Sequence, residues 1–243
     1  LAAREAVCAY YAARGHAVTP DRVLLTASTS EAYAYLFKLL ADPGDEVLVP
    51  RPSYPLFEFL ATLESVRVAT YPLVYHGAWS IDLPALEAAI SDRTRAIVLV
   101  NPNNPTGSFL KRDELDALVR ISRDRRCALV SDEVFADYAF APDPRRAGTL
   151  AGVRDTPAFS MSGLSKIVGL PQMKLGWIVA SGPESARREA MARLELIADT
   201  YLSVSTPVQV AAPAMLQAGM AVREAISTRT RENLEFFRAA VAP

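Results

Sequence analysis

The apolar positions of this chain change period repeatedly, from the 3.6-residue spacing of a helix to short uninterrupted runs and back. Leu1 to Arg14 has helical spacing and stops at Gly15, a residue suited to a helix C-cap. Val23-Leu-Leu-Thr26 reads as a short buried strand, and Thr29 or Ser30 is placed to cap a helix running to about Ala41. Pro43-Gly-Asp45 marks a turn before a strand over Glu46–Val49. A helix from about Pro55 to Leu63, a strand over Val66–Tyr71 and a short helix over Pro84–Ile90 follow.

The second half repeats the alternation. Ala96-Ile-Val-Leu-Val100 is an unbroken β-rich run of the kind found in strands buried on both faces. Lys111 to Arg125 is helical, Ala128-Leu-Val130 is the next strand, another strand precedes Ser162, and Gly176-Trp-Ile-Val-Ala180 is one more. Pro183–Ala198, Pro207–Gln217 and Ala221–Ala240 read as three further helices. Strands alternating with helices predict a three-layer α/β/α fold around a mixed, mainly parallel sheet. The chain opens on Leu1 rather than Met and ends inside a helical pattern, which predicts a piece of a longer protein.

Bulk properties narrow the chemistry. With 243 residues, 51% hydrophobic and 22% charged, the chain is large enough for one substantial globular domain. A net charge of −1 removes any electrostatic case for nucleic acid or an anionic membrane surface. No apolar run has the length to span a bilayer, and the opening residues do not form a signal peptide. The two cysteines, Cys8 and Cys127, lie among apolar neighbours, which argues against a disulfide framework and for a reducing cytoplasm. The two histidines, His16 and His76, are far apart beside glycines, so zinc sites and histidine triads lack raw material.

Three segments stand out, each just past the end of an apolar run. They are Asn101-Pro-Asn-Asn-Pro-Thr-Gly107, Ser131-Asp-Glu-Val-Phe135, and the small-residue stretch Met161-Ser-Gly-Leu-Ser-Lys166. Alone, a turn amide, a strand-end carboxylate and a lysine each have an ordinary structural explanation. In this order they match the needs of pyridoxal phosphate (PLP), which takes an amine for a Schiff base and an acid for its ring nitrogen. In open α/β sheets, ligands bind at that edge.

The ordered set Gly44-Asp-Glu-Val47, Tyr54, Asn101–Gly107, Asp132, Ser165-Lys166 and Lys174 resembles the class I/II aminotransferases of PLP fold type I. The resemblance covers nearly the whole chain. It implies a large cofactor-binding domain over residues 1–220, with residues 221–243 starting a linker helix towards a small C-terminal domain. It also implies amino acid and 2-oxo acid substrates and a homodimer, with the Tyr201–Gln209 segment reaching the partner subunit. An arginine that clamps the substrate carboxylate is expected beyond Pro243.

The resemblance assigns roles position by position. Lys166 forms the Schiff base and, once freed, carries the proton from the substrate α-carbon; its apolar flank Ile167-Val-Gly-Leu170 predicts a buried amine in a pocket. Asp132 pairs with the ring nitrogen. Asn104 bonds the ring oxygen and helps seat the substrate carboxylate, in a loop rigidified by Pro102 and Pro105. Tyr54 stacks on the ring, the alternative being a core tyrosine. Ser28, Thr29, Ser30, Ser165 and Lys174 form the phosphate cup, with Lys174 in place of the more usual arginine. Rival readings on the same scaffold are a PLP-dependent β-lyase or decarboxylase, a non-catalytic regulatory PLP-binding domain, and a fragment unable to turn over alone.

Two departures matter. Phe135 stands where many relatives have a tyrosine that donates to the ring oxygen, and Gly163 replaces a common hydroxyl residue. Without the phenol, the Schiff base releases its proton less easily. Its absorbance is expected to titrate at higher pH than in tyrosine-bearing relatives. A spectrophotometric midpoint equal to or below theirs would count against this.

Overall fold

Along the central strands nearly every residue is apolar, and the two-residue period sends alternate side chains to opposite faces. The computed structural model describes residues 1–241; Ala242 and Pro243, the end of the predicted 221–243 segment, lie outside the described residues. Eight strands form one sheet: β1 (Val23–Thr26), β2 (Glu46–Arg51), β3 (Arg67–Tyr75), β4 (Trp79–Ile81), β5 (Thr94–Val100), β6 (Ala128–Asp132), β7 (Ala158–Gly163) and β8 (Gly176–Ser181). Their order is β1-β8-β7-β6-β5-β2-β3-β4. The stretch from β7 through β6, β5 and β2 to β3 is parallel, while β1, β8 and β4 run antiparallel to their neighbours. The sheet is therefore mixed and mainly parallel, as the alternation of elements predicts.

Helices cover both faces. Val47, Val49, Val98, Val130, Met161 and Ile178 point to one side, where α2 (Thr29–Leu40), α3 (Phe57–Leu63) and α7 (Glu184–Asp199) meet them. Leu48, Ile97, Leu99 and Leu129 point to the other, against α4 (Leu83–Ala89) and α5 (Arg112–Arg125). Trp177 and Val179 continue that second side, covered by α1 (Ala2–Ala12) and α8 (Thr206–Ala240). Each such side chain, fully buried, contributes about 1.5–3 kcal/mol of transfer free energy.

Several boundaries differ from expectation. Ser28, not Thr29 or Ser30, caps α2: its side chain accepts from the Glu31 N–H. Strand β4 is absent from the sequence reading because three residues are too few for a period to register. The predicted helices over Pro207–Gln217 and Ala221–Ala240 are one helix of 35 residues. The Ala218-Gly-Met220 interval between the two expected helices lies inside it and makes a packing contact. Gly219 abuts Val168, next to the four-residue helix α6 (Leu164–Ile167) that carries Lys166. Cys8 and Cys127 are both free.

Asp137 ties the outer helices to the sheet edge. It accepts from Tyr10 at 3.0 Å and pairs with Arg14 at 3.0 Å and Arg223 at 3.3 Å, so α1 and α8 are both pinned to the segment after β6.

A Cβ at Gly219 would stand 2.1 Å from both Cβ and Cγ1 of Val168. Replacing glycine by alanine inside a helix ordinarily gains about 1 kcal/mol, but here the overlap dominates. Gly219→Ala is expected to lower stability by about 1–3 kcal/mol in chemical denaturation. A stability at or above wild type would show that α8 is free to shift.

Candidate active site

Strand register gathers the candidate residues at one edge of the sheet. In β5, β6 and β7, Val100 pairs with Asp132 and Asp132 with Met161. At the antiparallel side, Gly163 at the end of β7 pairs with Gly176 at the start of β8, which pairs with Thr26 at the end of β1. The segments beginning at Ser28, Tyr54, Asn101, Asp132 and Ser165, and the turn ending at Lys174, all lie along that edge. Two glycines make the closeness possible. A Cβ on Gly163 would lie 2.9 Å from the Leu175 carbonyl oxygen, and one on Gly176 would lie 3.1 Å from Thr26 Oγ1 and 3.2 Å from the Ser28 carbonyl carbon.

Asp132 ends β6 partly buried. Its Oδ1 accepts the Val134 N–H at 3.1 Å and its Oδ2 accepts the Tyr33 hydroxyl at 3.3 Å. Burial pushes its carboxyl up from 3.8 to about 6, while the Val134 and Tyr33 donors and the Lys166 ammonium pull the other way. The carboxylate is thus ionised at neutral pH despite its surroundings. The next residue, Glu133, is buried elsewhere, held by the Thr149 hydroxyl at 2.7 Å and the Leu150 N–H at 3.0 Å.

Lys166 corrects an expectation: it is exposed, not buried. The apolar residues after it do turn inward, with Ile167 and Val168 each 1% exposed, but α6 ends after one turn and leaves the lysine on its open side. There it lines a cavity of about 300 Å³ with Ser165, Phe135, Tyr138, Ile226 and Arg231. Its Nζ lies 5.8 Å from the Phe135 ring centroid. Tyr138 donates its hydroxyl to the Lys166 carbonyl, fixing the turn that presents the amine.

The remaining candidates lie along the edge without lining that cavity. Tyr54 is 42% exposed, which excludes a core role. Asn104 is exposed, whereas Asn101 and Asn103 are buried and hold the loop: Asn101 accepts from the Leu110 N–H at 3.0 Å, and Asn103 accepts the Thr106 hydroxyl at 2.9 Å. Ser28 and Thr29 are half-buried and Ser30 exposed. The N–H groups of Thr29 and Ser30 belong to the first turn of α2, where amides have no intrahelical acceptor. Lys174 is exposed, with a left-handed backbone (φ 51°) that turns the chain into β8.

A cationic aromatic phosphate fits this set. The unsatisfied α2 amides suit a phosphate, the strand-end carboxylate suits a protonated ring nitrogen, and the open cavity gives Lys166 access to an aldehyde. Among the described residues no group of three or more His, Cys, Asp or Glu could hold a metal ion, and no helix is long and apolar enough to cross a membrane.

The family model for aminotransferase class I and II matches residues 1–242. The chain belongs to this family. It is 31% identical over 226 residues to glutamate-pyruvate aminotransferase AlaA of Escherichia coli, covering 93% of the chain and 56% of that protein. It is also 31% identical over 205 residues to the S-alkyl-thiohydroximate lyase SUR1 of Arabidopsis thaliana, covering 83% of the chain and 44% of the lyase. An alanine aminotransferase structure from Pyrococcus furiosus superposes with a TM-score of 0.87 at 30% identity, covering 98% of the chain and 60% of that structure. The chain therefore spans between 44% and 60% of the length of these relatives.

Two residues escaped the sequence reading. Tyr33 lies on the buried face of α2 and looks like core, while Tyr138 follows the DEVF segment with no spacing that marks it. Only the fold brings their hydroxyls to Asp132 and Lys166.

The raised carboxyl of Asp132 has a cost in the cofactor-free protein. Between the unfolded value near 3.8 and the folded value of about 6, the folded state binds more protons than the unfolded chain. Stability therefore falls as pH rises through that window and stays lower above it. Asp132→Asn is expected to raise cofactor-free stability by about 1–3 kcal/mol at pH 7.5 and to change it little near pH 4. Denaturation at the two pH values checks this; equal effects at both would show that burial does not govern Asp132.

Proposed function

We propose that the protein is a PLP-dependent aminotransferase, moving an amino group between an amino acid and a 2-oxo acid, with Lys166 as the covalent anchor. The observation that carries this reading is that strand register brings the carboxylate ending β6, Asp132, and the turn after β7 that presents Lys166 to the same sheet edge. When bound, PLP supplies an aldehyde carbon that condenses with amines and a ring that draws electrons from the substrate α-carbon.

The chain's own residues divide the remaining work. Asp132, ionised above about pH 6, would keep the ring nitrogen protonated. Lys166 would hold and move the proton at the substrate α-carbon, from a position open to the cavity. The α2 N-terminus with Ser28, Thr29 and Ser30, together with Ser165 and Lys174, would hold the phosphate. Tyr54 would cover the ring and Asn104 would donate to its oxygen. Residues 1–220 would form the cofactor-binding domain and 221–243 the start of a linker helix. A homodimer fits the exposed Tyr201 and Leu202, and a cytoplasmic setting fits the two free cysteines.

A second reading keeps the cofactor and changes the outcome. Phe135 and the relative named as a lyase keep open a β-lyase or decarboxylase activity on the same residues.

In the full-length protein loaded with PLP, borohydride reduction is expected to fix the cofactor on Lys166, found by peptide mapping. Glutamate, the donor class named for the Escherichia coli relative, is the first of a panel expected to convert the bound cofactor to its amine form. Lys166→Ala should lower kcat/KM by roughly a thousand-fold. Absence of trapping on Lys166 ends both readings. Trapping with ammonia and pyruvate released in the absence of any acceptor selects the lyase.

A further inference from the structure

We propose that Tyr33 is a positioning residue for Asp132: its buried hydroxyl occupies Oδ2 and fixes the plane in which the carboxylate faces the active-site edge. This deepens the reading of Asp132 as the partner of a protonated ring nitrogen, and rests on it for its role in turnover.

The argument begins in α2. Its inner face carries Ala32, Tyr33, Leu36 and Phe37, all buried, so Tyr33 enters the core by helical spacing alone. Its ring meets Phe57 edge-on at 5.4 Å and lies tilted against Phe37 at 5.8 Å. These aromatic walls leave the phenol no freedom to swing towards water. A buried hydroxyl without a partner costs about 1–3 kcal/mol, and the partner it reaches is Asp132 Oδ2 at 3.3 Å.

The other carboxylate oxygen is already engaged, because Oδ1 accepts the Val134 N–H at 3.1 Å. One donor per oxygen, one from the backbone of its own segment and one from α2, removes rotation about both carboxyl torsions. Each oxygen keeps a second lone pair for a further donor. The ionisable groups facing Asp132 are Tyr33 from α2 and Lys166 from the turn after β7. Burial and the neighbouring Asp132 hold the Tyr33 hydroxyl well above its ordinary range, so it serves only as a proton-bearing donor.

The sequence context makes this phenol distinctive. Position 135 holds phenylalanine, so no phenol reaches out from the segment after Asp132 at that point. The nearest phenol to the carboxylate instead approaches from behind, on the helix whose first turn carries Ser28, Thr29 and Ser30. One helix therefore bears on both the proposed phosphate cup and the carboxylate.

The test uses the full-length protein and two conservative variants. Tyr33→Phe keeps the ring and its contacts with Phe37 and Phe57 while deleting the hydroxyl. Tyr71→Phe deletes another buried hydroxyl, one that donates to the Val98 carbonyl at 2.9 Å and not to Asp132. In cofactor-free protein, the carbon-13 carboxyl signal of Asp132 is expected to titrate about one pH unit higher in Tyr33→Phe than in wild type, and unchanged in Tyr71→Phe. In the loaded enzyme, Tyr33→Phe should depress kcat more at pH 6 than at pH 8, with KM little altered. A midpoint unmoved by Tyr33→Phe overturns the proposal whatever the enzyme's activity, as does an equal shift in Tyr71→Phe. A moved midpoint in a protein that takes up no PLP supports the carboxylate's positioning and separates it from the failure of the cofactor reading.

Discussion

Backbone hydrogen bonding among β5, β6 and β7 is the constraint on which the site depends. These strands share one direction and one register, so they end at one height and release their following segments into the same space. A shift of one residue in β6 would turn Asp132 to the opposite face and bring Glu133 into its place. Apolar packing on both faces specifies that register, because such a slip would also move Leu129 and Val130 into each other's environments. The glycines at 163 and 176 then let β7 and β8 close up beside β1, bringing the start of α2 to the same edge.

Within that frame the two central side chains are treated in opposite ways. The carboxylate is partly withdrawn from water and given a donor on each oxygen, which makes it strained as an anion yet fixed in direction. The lysine is left in the open, with its backbone held by Tyr138 and its cavity wall supplied by α8. A charged site prepared in this way is destabilising until something cationic meets it, a common trade between stability and function.

Much of the fold was legible because the signals were local and repeated. Buried strands such as Ala96–Val100 announce themselves by composition, and the order of turn amide, carboxylate and lysine carries the family resemblance. What was hidden depends on contacts between distant segments. Tyr33 is indistinguishable from a core tyrosine until β6 is placed beside α2, and the continuity of α8 through Gly219 shows only when Val168 is placed against it. The burial expected of Lys166 from its apolar flank failed because that flank turns inward while a single helical turn carries the lysine outward. The cap at Ser28 differs from the expected Thr29 or Ser30 by only the one or two residues within which helix starts are defined.

The crossing at Gly219 has a mechanical meaning. Beyond it α8 extends through Ala240, a rod of about 30 Å at the rise of an α-helix. The fulcrum is the touching point with Val168, two residues from the lysine. Any torque applied to the far end of that rod is delivered at the fulcrum, and so to the peptide that aims the amine.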